Sequence, residues 1–211
     1  MSISRKHSPK SPARKPGIPG ADPRATPRSI HRLYPEWKRT LPSASETIRL
    51  GRIIGAALRG GEVLALQGLV GAGKTTLIRG IAAGLRADPH GVSSPTFVLV
   101  HTYHGRLPLI HVDLYRIASY REVSSLGLDE YFNDTTVTAI EWADRASRAL
   151  PDDRLEIRLD HRGPRARDVS FRALGSGSAT LLTAIRAGYG SNSHGRRNAR
   201  PRSVVSRRVS S

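Results

Sequence analysis

The sequence predicts an α/β fold in which helices flank a central sheet of mixed parallel and antiparallel strands, and three observations predict it. Residues 62–67 are a short apolar run of strand type. Gly68-Leu69-Val70-Gly71-Ala72-Gly73-Lys74-Thr75-Thr76 follows, and Leu77, Ile78, Ile81, Ala82 and Leu85 then recur at helical spacing. Strand, glycine loop and helix in that order usually belong to a parallel sheet. Two pairs of strand-like runs, 97–103 with 109–113 and 154–159 with 168–172, are joined by tight turns at Gly105 and Gly163-Pro164, which makes each pair an antiparallel hairpin.

The remaining elements follow in chain order. Residues 1–40 are rich in Pro, Ser and Arg with little to bury, so they cannot offset the entropy of ordering and are expected to be disordered. A solvated extension is the preferred reading; an RNA-attracting arm acting through phosphate charge is the alternative. Order is expected from Leu41. Ser43 and Glu46 fit a capping box, and Leu50, Ile53, Ile54, Ala57 and Leu58 form one apolar stripe that stops at Gly60-Gly61. The helix behind the glycine loop breaks near residue 86, at Gly84, Asp88-Pro89 and Gly91. Residues 119–128 read as a short helix closing on Gly127, 137–141 as a buried strand, and 144–150 as a brief helical link. A last helix, about residues 178–187, packs through Leu181, Leu182 and Ile185. The resulting organisation is a basic extension (1–40), one domain (41–188) and a second basic, disordered tail (189–211).

A chain of 211 residues suits one domain with extensions. Its net charge of +17 is unevenly placed: residues 1–40 hold ten Lys/Arg against two acids and residues 189–211 hold six against none, leaving +3 for the domain. The basicity belongs to the tails, and the domain itself carries no nucleic-acid signature. The absence of cysteine excludes a disulfide framework and a thiolate metal site, and agrees with a cytoplasmic location. No window approaches the roughly 18 apolar residues of a membrane span, and the start lacks a secretory apolar core. Pro9, Pro12, Pro16, Pro19, Pro23 and Pro27 argue against the amphipathic helix of a transit peptide.

Residues 68–75 match G-x-x-x-x-G-K-T, a Walker A phosphate loop, and their flanks supply the strand and helix that this motif requires. Backbone N–H groups of such a loop and the following helix N-terminus converge on phosphate. Lys74 is expected on the β- and γ-phosphates and the Thr75 hydroxyl on Mg²⁺. A carboxylate at a neighbouring strand end commonly assists; Asp113 and Glu141 both qualify. Ser94 and Thr96 could sense the γ-phosphate or simply form a Ser-Pro turn into the next strand. His101, His104 and His111 match no common metal-ligand spacing. Alternation puts His111 on the same side as Asp113, where it can support the site, whereas His101 and His104 read as partly exposed strand histidines. No Asn-Lys-x-Asp element for guanine is present. The residues by themselves therefore indicate ATP binding with slow hydrolysis.

Gly71-Ala72-Gly73-Lys74-Thr75-Thr76, Val92-Ser93-Ser94-Pro95-Thr96-Phe97, His111-Val112-Asp113-Leu114-Tyr115-Arg116, Leu126-Gly127-Leu128-Asp129-Glu130-Tyr131, Ile140-Glu141-Trp142 and Leu150-Pro151 occur in this order. Together they resemble the bacterial TsaE family, the ATPase of the tRNA threonylcarbamoyladenosine (t6A) pathway. The resemblance covers about residues 41–185 and neither tail. It implies a cytoplasmic ATPase that uses ATP and Mg²⁺ and works with TsaB and TsaD, meeting tRNA only through that complex. TsaD would transfer the threonylcarbamoyl group to adenosine 37. The resemblance also implies phosphate contacts from Gly68, Gly71, Ala72, Gly73, Lys74, Thr75 and Thr76, with Thr75 and Glu141 as Mg²⁺ ligands. Asp113 would be a second acid needed for hydrolysis and close to the metal, and Trp142 a partner or nucleotide contact. Ser45, Asp144 and Arg165 are further candidates beside the nucleotide. The sequence departs from the family's Gly-Asp-Leu-Gly at the loop's start, with Leu69-Val70 after Gly68. Phosphate binding should survive this change, because it rests on backbone N–H groups and Lys74, and turnover should be altered. Two other readings are a nucleotide-dependent assembly module with little hydrolysis and a small-molecule phosphotransferase.

Overall fold

The computed structural model describes residues 34–95 and 99–194. Expectations placed on residues 1–33, on Thr96, Phe97 and Val98, and on residues 195–211 lie outside the described residues. The strands are β1 (Glu36–Leu41), β2 (Val63–Gln67), β3 (Val100–Tyr103), β4 (Leu109–Asp113), β5 (Val137–Glu141), β6 (Leu155–His161) and β7 (Arg167–Ala173). The helices are α1 (Ala44–Ala57), α2 (Lys74–Gly84), α3 (Tyr120–Ser125) and α4 (Ser176–His194), with 3₁₀ turns at Leu128–Tyr131 and Ala143–Ala146.

One sheet runs in the order β1-β7-β6-β2-β5-β4-β3. Its centre is parallel, with β2 between β5 and β6 and with β4 beside β5. Both margins are antiparallel, through the pairs β3/β4, β6/β7 and β1/β7. This is the mixed α/β sheet the sequence predicts. Strand alternation divides the core in two. Leu64, Leu66, Val137, Ala139, Leu155, Ile157 and Phe171 pack beneath α1, α2 and α4. Val63, Ala65, Ile110, Val112 and Ile140 face Leu114, Val123 and Leu128 on the other side. By the same alternation Asp113 and Glu141 lie on the α2 face, in register with each other across β4 and β5.

Three features differ from the expectation. Residues 36–40 are not part of a disordered extension, because they form most of β1, antiparallel to β7. Locally this stretch offers little beyond Trp37, but Trp37 is buried against Phe171 (ring centroids 5.2 Å apart) and Tyr189 (5.3 Å). Its order thus comes from partners at the far end of the domain sequence. The same contact carries α4 past residue 187 to His194, through Gly188 and Gly190, which locally read as breakers. The helix expected over 119–128 is split: α3 ends at Ser125, and Gly127 at φ 59° turns the chain into a 3₁₀ segment.

The glycine loop is held against the sheet by helix crossing. Gly51 and Gly55 of α1 meet Gly80 and Gly84 of α2 backbone to backbone. A Cβ on Gly80 would stand 2.4 Å from the Ile48 carbonyl oxygen, and one on Gly55 would stand 2.2 Å from that of Ile81. Side chains between the helices would move α2, and with it the first turn that carries Lys74 and Thr75. Gly80→Ala is expected to lower stability by about 3 kcal/mol or more in urea unfolding, through overpacking. Gly190→Ala, where nothing lies within 4 Å of the new methyl, should raise it by up to about 1 kcal/mol, through helix propensity.

Candidate active site

The phosphate loop leaves β2 after Gln67 and reaches α2 through three glycines with positive φ: Gly68 (136°), Gly71 (74°) and Gly73 (104°). A side chain at Gly68 would also collide with the Leu159 carbonyl. The loop carbonyls are tied from outside by a side chain that sequence reasoning missed. Arg167 of β7 donates from Nε to Ala72 O (3.0 Å) and from Nη2 to Gly71 O (3.1 Å). With carbonyls held on that side, and with the Ala72 N–H donating to Leu69 O (3.2 Å), the N–H groups of the first turn of α2, which have no partner within the helix, are left for an anion. Arg167 belongs to no motif; its role depends on the β6–β7 hairpin folding back beside the loop.

Lys74 is 4% exposed. Its Nζ donates to Gly68 O (2.8 Å) and Leu69 O (3.1 Å) and sits 4.0 Å from the centre of the Trp142 ring. Burial pushes the Lys74 pKa down, against the opposing pull of Glu141, Asp113 and Asp144. Trp142 reaches this position because it adopts a left-handed conformation (φ 58°) directly after Glu141, a costly one for a bulky residue. Tyr115 packs on Trp142 at 5.2 Å. Arg145 holds the adjoining turn by donating to the carbonyls of Leu114, Tyr115 and Ile117.

The two strand-end carboxylates are both buried in this cleft. Glu141 Oε1 accepts from Thr75 Oγ1 (2.6 Å) and lies 3.0 Å from His111 Nε2. Asp113 accepts from Ser94 Oγ on Oδ2 and from the Tyr115 N–H on Oδ1 (2.9 Å). The cleft is about 360 Å³ and is lined by Gly71, Lys74, Thr75, Ser94, Asp113, Glu141 and Trp142, among others. A neighbouring hollow of about 350 Å³ joins Gly71, Gly73 and Thr76 to Ser45, Arg165 and Arg167. Of the three further candidates, Ser45 and Arg165 therefore lie beside the loop, while Asp144 is exposed on the 3₁₀ turn after Trp142 and acts on Lys74 through its charge. His101 and His104 are exposed. Among the described residues no three His, Asp, Glu or Cys side chains cluster as a self-sufficient metal site. Thr75, Glu141 and Asp113 instead offer hydroxyl and carboxylate oxygens. Such hard donors suit Mg²⁺, and they are few enough for the ion to keep water and phosphate oxygens.

A hollow of about 450 Å³ lies at the opposite ends of β2 and β6. Two of its three lining carboxylates are committed to backbone N–H groups: Glu62 to those of Arg59 and Gly60, and Asp153 to those of Gly177 and Ser178. Glycine loop, lysine and paired carboxylates all converge on the Lys74 cleft instead.

Residues 41–169 match the family model described as threonylcarbamoyl adenosine biosynthesis protein TsaE. Among similar proteins, one named tRNA threonylcarbamoyladenosine biosynthesis protein TsaE from Treponema pallidum is 42% identical over 117 residues, covering 56% of this chain and 86% of that protein. Its namesake from Bacillus subtilis is 39% identical over 142 residues, covering 67% of this chain and 87% of that protein. The crystal structure of YdiB from Bacillus subtilis superposes with a TM-score of 0.62 at 33% identity, covering 74% of this chain and 97% of that one. With the family model spanning more than half of its length, the chain belongs to the TsaE family.

Proposed function

We propose that the protein binds ATP with Mg²⁺ in the Lys74 cleft and hydrolyses it slowly as the nucleotide-dependent component of t6A biosynthesis, working with TsaB and TsaD. The observation that carries this reading is the contact between Thr75 and Glu141. It brings the hydroxyl of the phosphate loop and a strand-end carboxylate together beside Lys74.

The N–H groups of the loop and the Lys74 ammonium bind the phosphates, and Lys74 exchanges its two carbonyl partners for phosphate oxygens. Thr75, Glu141 and Asp113 would hold Mg²⁺, which supplies charge neutralisation on the phosphates. The two acids have different surroundings. Asp113 uses an oxygen on Ser94 and another on a backbone N–H, so it ties the segment before residue 96 to the end of β4. Glu141 takes its two contacts on Oε1, which leaves Oε2 to orient the attacking water. The hollow between Ser45 and Arg165 takes the nucleoside end of ATP. Leu69 and Val70 are 70% and 66% exposed and Tyr115 is 44% exposed. These apolar side chains border the phosphates, and a partner protein seated there would cover them. That surface also favours the second reading, in which the ATP state chiefly orders a complex.

Glu141→Ala separates the two readings. Hydrolysis should fall by at least about 100-fold while fluorescent-ATP binding is retained; normal t6A levels in cells carrying this variant would overturn the enzymatic reading. Arg167→Ala should weaken ATP binding by about tenfold, equivalent to about 1.4 kcal/mol, in the same titration.

A further inference from the structure

We propose that His111 is a positioning residue for Glu141: its Nε2–H fixes the carboxylate through Oε1, so that Oε2 faces the reacting water. The proposal rests on reading the cleft as an ATP-hydrolysing site.

His111 sits in the middle of β4, with no exposed surface. Alternation puts it on the same face as Asp113, and its neighbour in register on β5 is Ala139. That small side chain leaves room for the imidazole to extend toward Glu141, two residues further along β5. On the other side Tyr103 of β3 packs near the ring, with centroids 6.1 Å apart, and His101 stacks on Tyr103. Nε2 lies 3.0 Å from Glu141 Oε1, and Nδ1 has no hydrogen-bond partner among the described residues. A carboxylate oxygen only accepts, so the proton of this contact belongs to Nε2. A histidine kept solely for packing gains nothing from burying an unpaired Nδ1, which is a cost. Here the cost accompanies a single charge-assisted bond to the carboxylate that the site depends on.

The Thr75 hydroxyl is the other donor to Oε1. Its oxygen lone pairs would be the ones to hold the nucleotide's ion while its O–H keeps that bond, so Thr75 would tie Glu141 to the phosphate loop, and the His111 bond ties the same carboxylate to β4. The two contacts therefore differ in function although they share one oxygen atom.

The test compares His111→Leu, His111→Gln and His111→Asn in steady-state ATP hydrolysis by the full chain together with TsaB and TsaD, alongside fluorescent-ATP binding. The Gln amide N–H extends about as far as Nε2, while that of Asn reaches only to the position of Nδ1. The expected result is that kcat falls by about 10- to 100-fold in His111→Leu, with KM and ATP affinity close to wild type. His111→Gln should recover most of the rate and His111→Asn little of it. An unchanged kcat in His111→Leu would overturn the proposal. If His111→Leu does not fold, equal rates for the Gln and Asn variants would overturn it. Absence of hydrolysis in the wild type would instead overturn the ATPase reading on which the proposal rests.

Discussion

The structure depends most on the burial of two carboxylates side by side. Asp113 is 2% and Glu141 3% exposed, and they stand opposite each other at the ends of adjacent parallel strands. Removing an ion from water costs several kcal/mol unless charge and hydrogen bonds replace the water. The replacements come from separate parts of the chain: Thr75 from the first turn of α2, His111 from β4, Ser94 from the loop after α2, and Lys74 from the phosphate loop. Each element must reach its place before the acids are satisfied, which couples formation of the site to formation of the fold.

The supports further out serve the same end. Glycines at the crossing of α1 and α2 let the helices touch backbone to backbone and so set where α2 begins. Arg167 reaches the loop carbonyls from β7. β7 is in turn flanked by β1, whose Trp37 packs between Phe171 and Tyr189. The strands farthest from the chemistry thus contribute to the shape of the phosphate loop.

Much of this was legible in the sequence. The phosphate loop, both hairpins and the two strand-end acids are local patterns, carried by glycine and apolar spacing, and the side of β4 that His111 faces follows from alternation alone. What was not legible depends on distant contacts. β1 is a charged stretch stabilised by aromatic partners near the far end of the chain, and α4 runs through two glycines for the same reason. Arg167 carries no motif, and its proximity to Ala72 exists only once β6 and β7 have paired. The left-handed turn at Trp142 was equally hidden, because nothing local favours that conformation for tryptophan.

The proposed ATP-hydrolysing site is largely preformed but open on the side of Leu69, Val70 and Tyr115, where a partner would complete it. The most direct measurement is ATP turnover by the full chain alone and after adding TsaB and TsaD together. Slow turnover alone and a marked acceleration with the pair are expected; a rate that does not respond to them would overturn a partner-completed site.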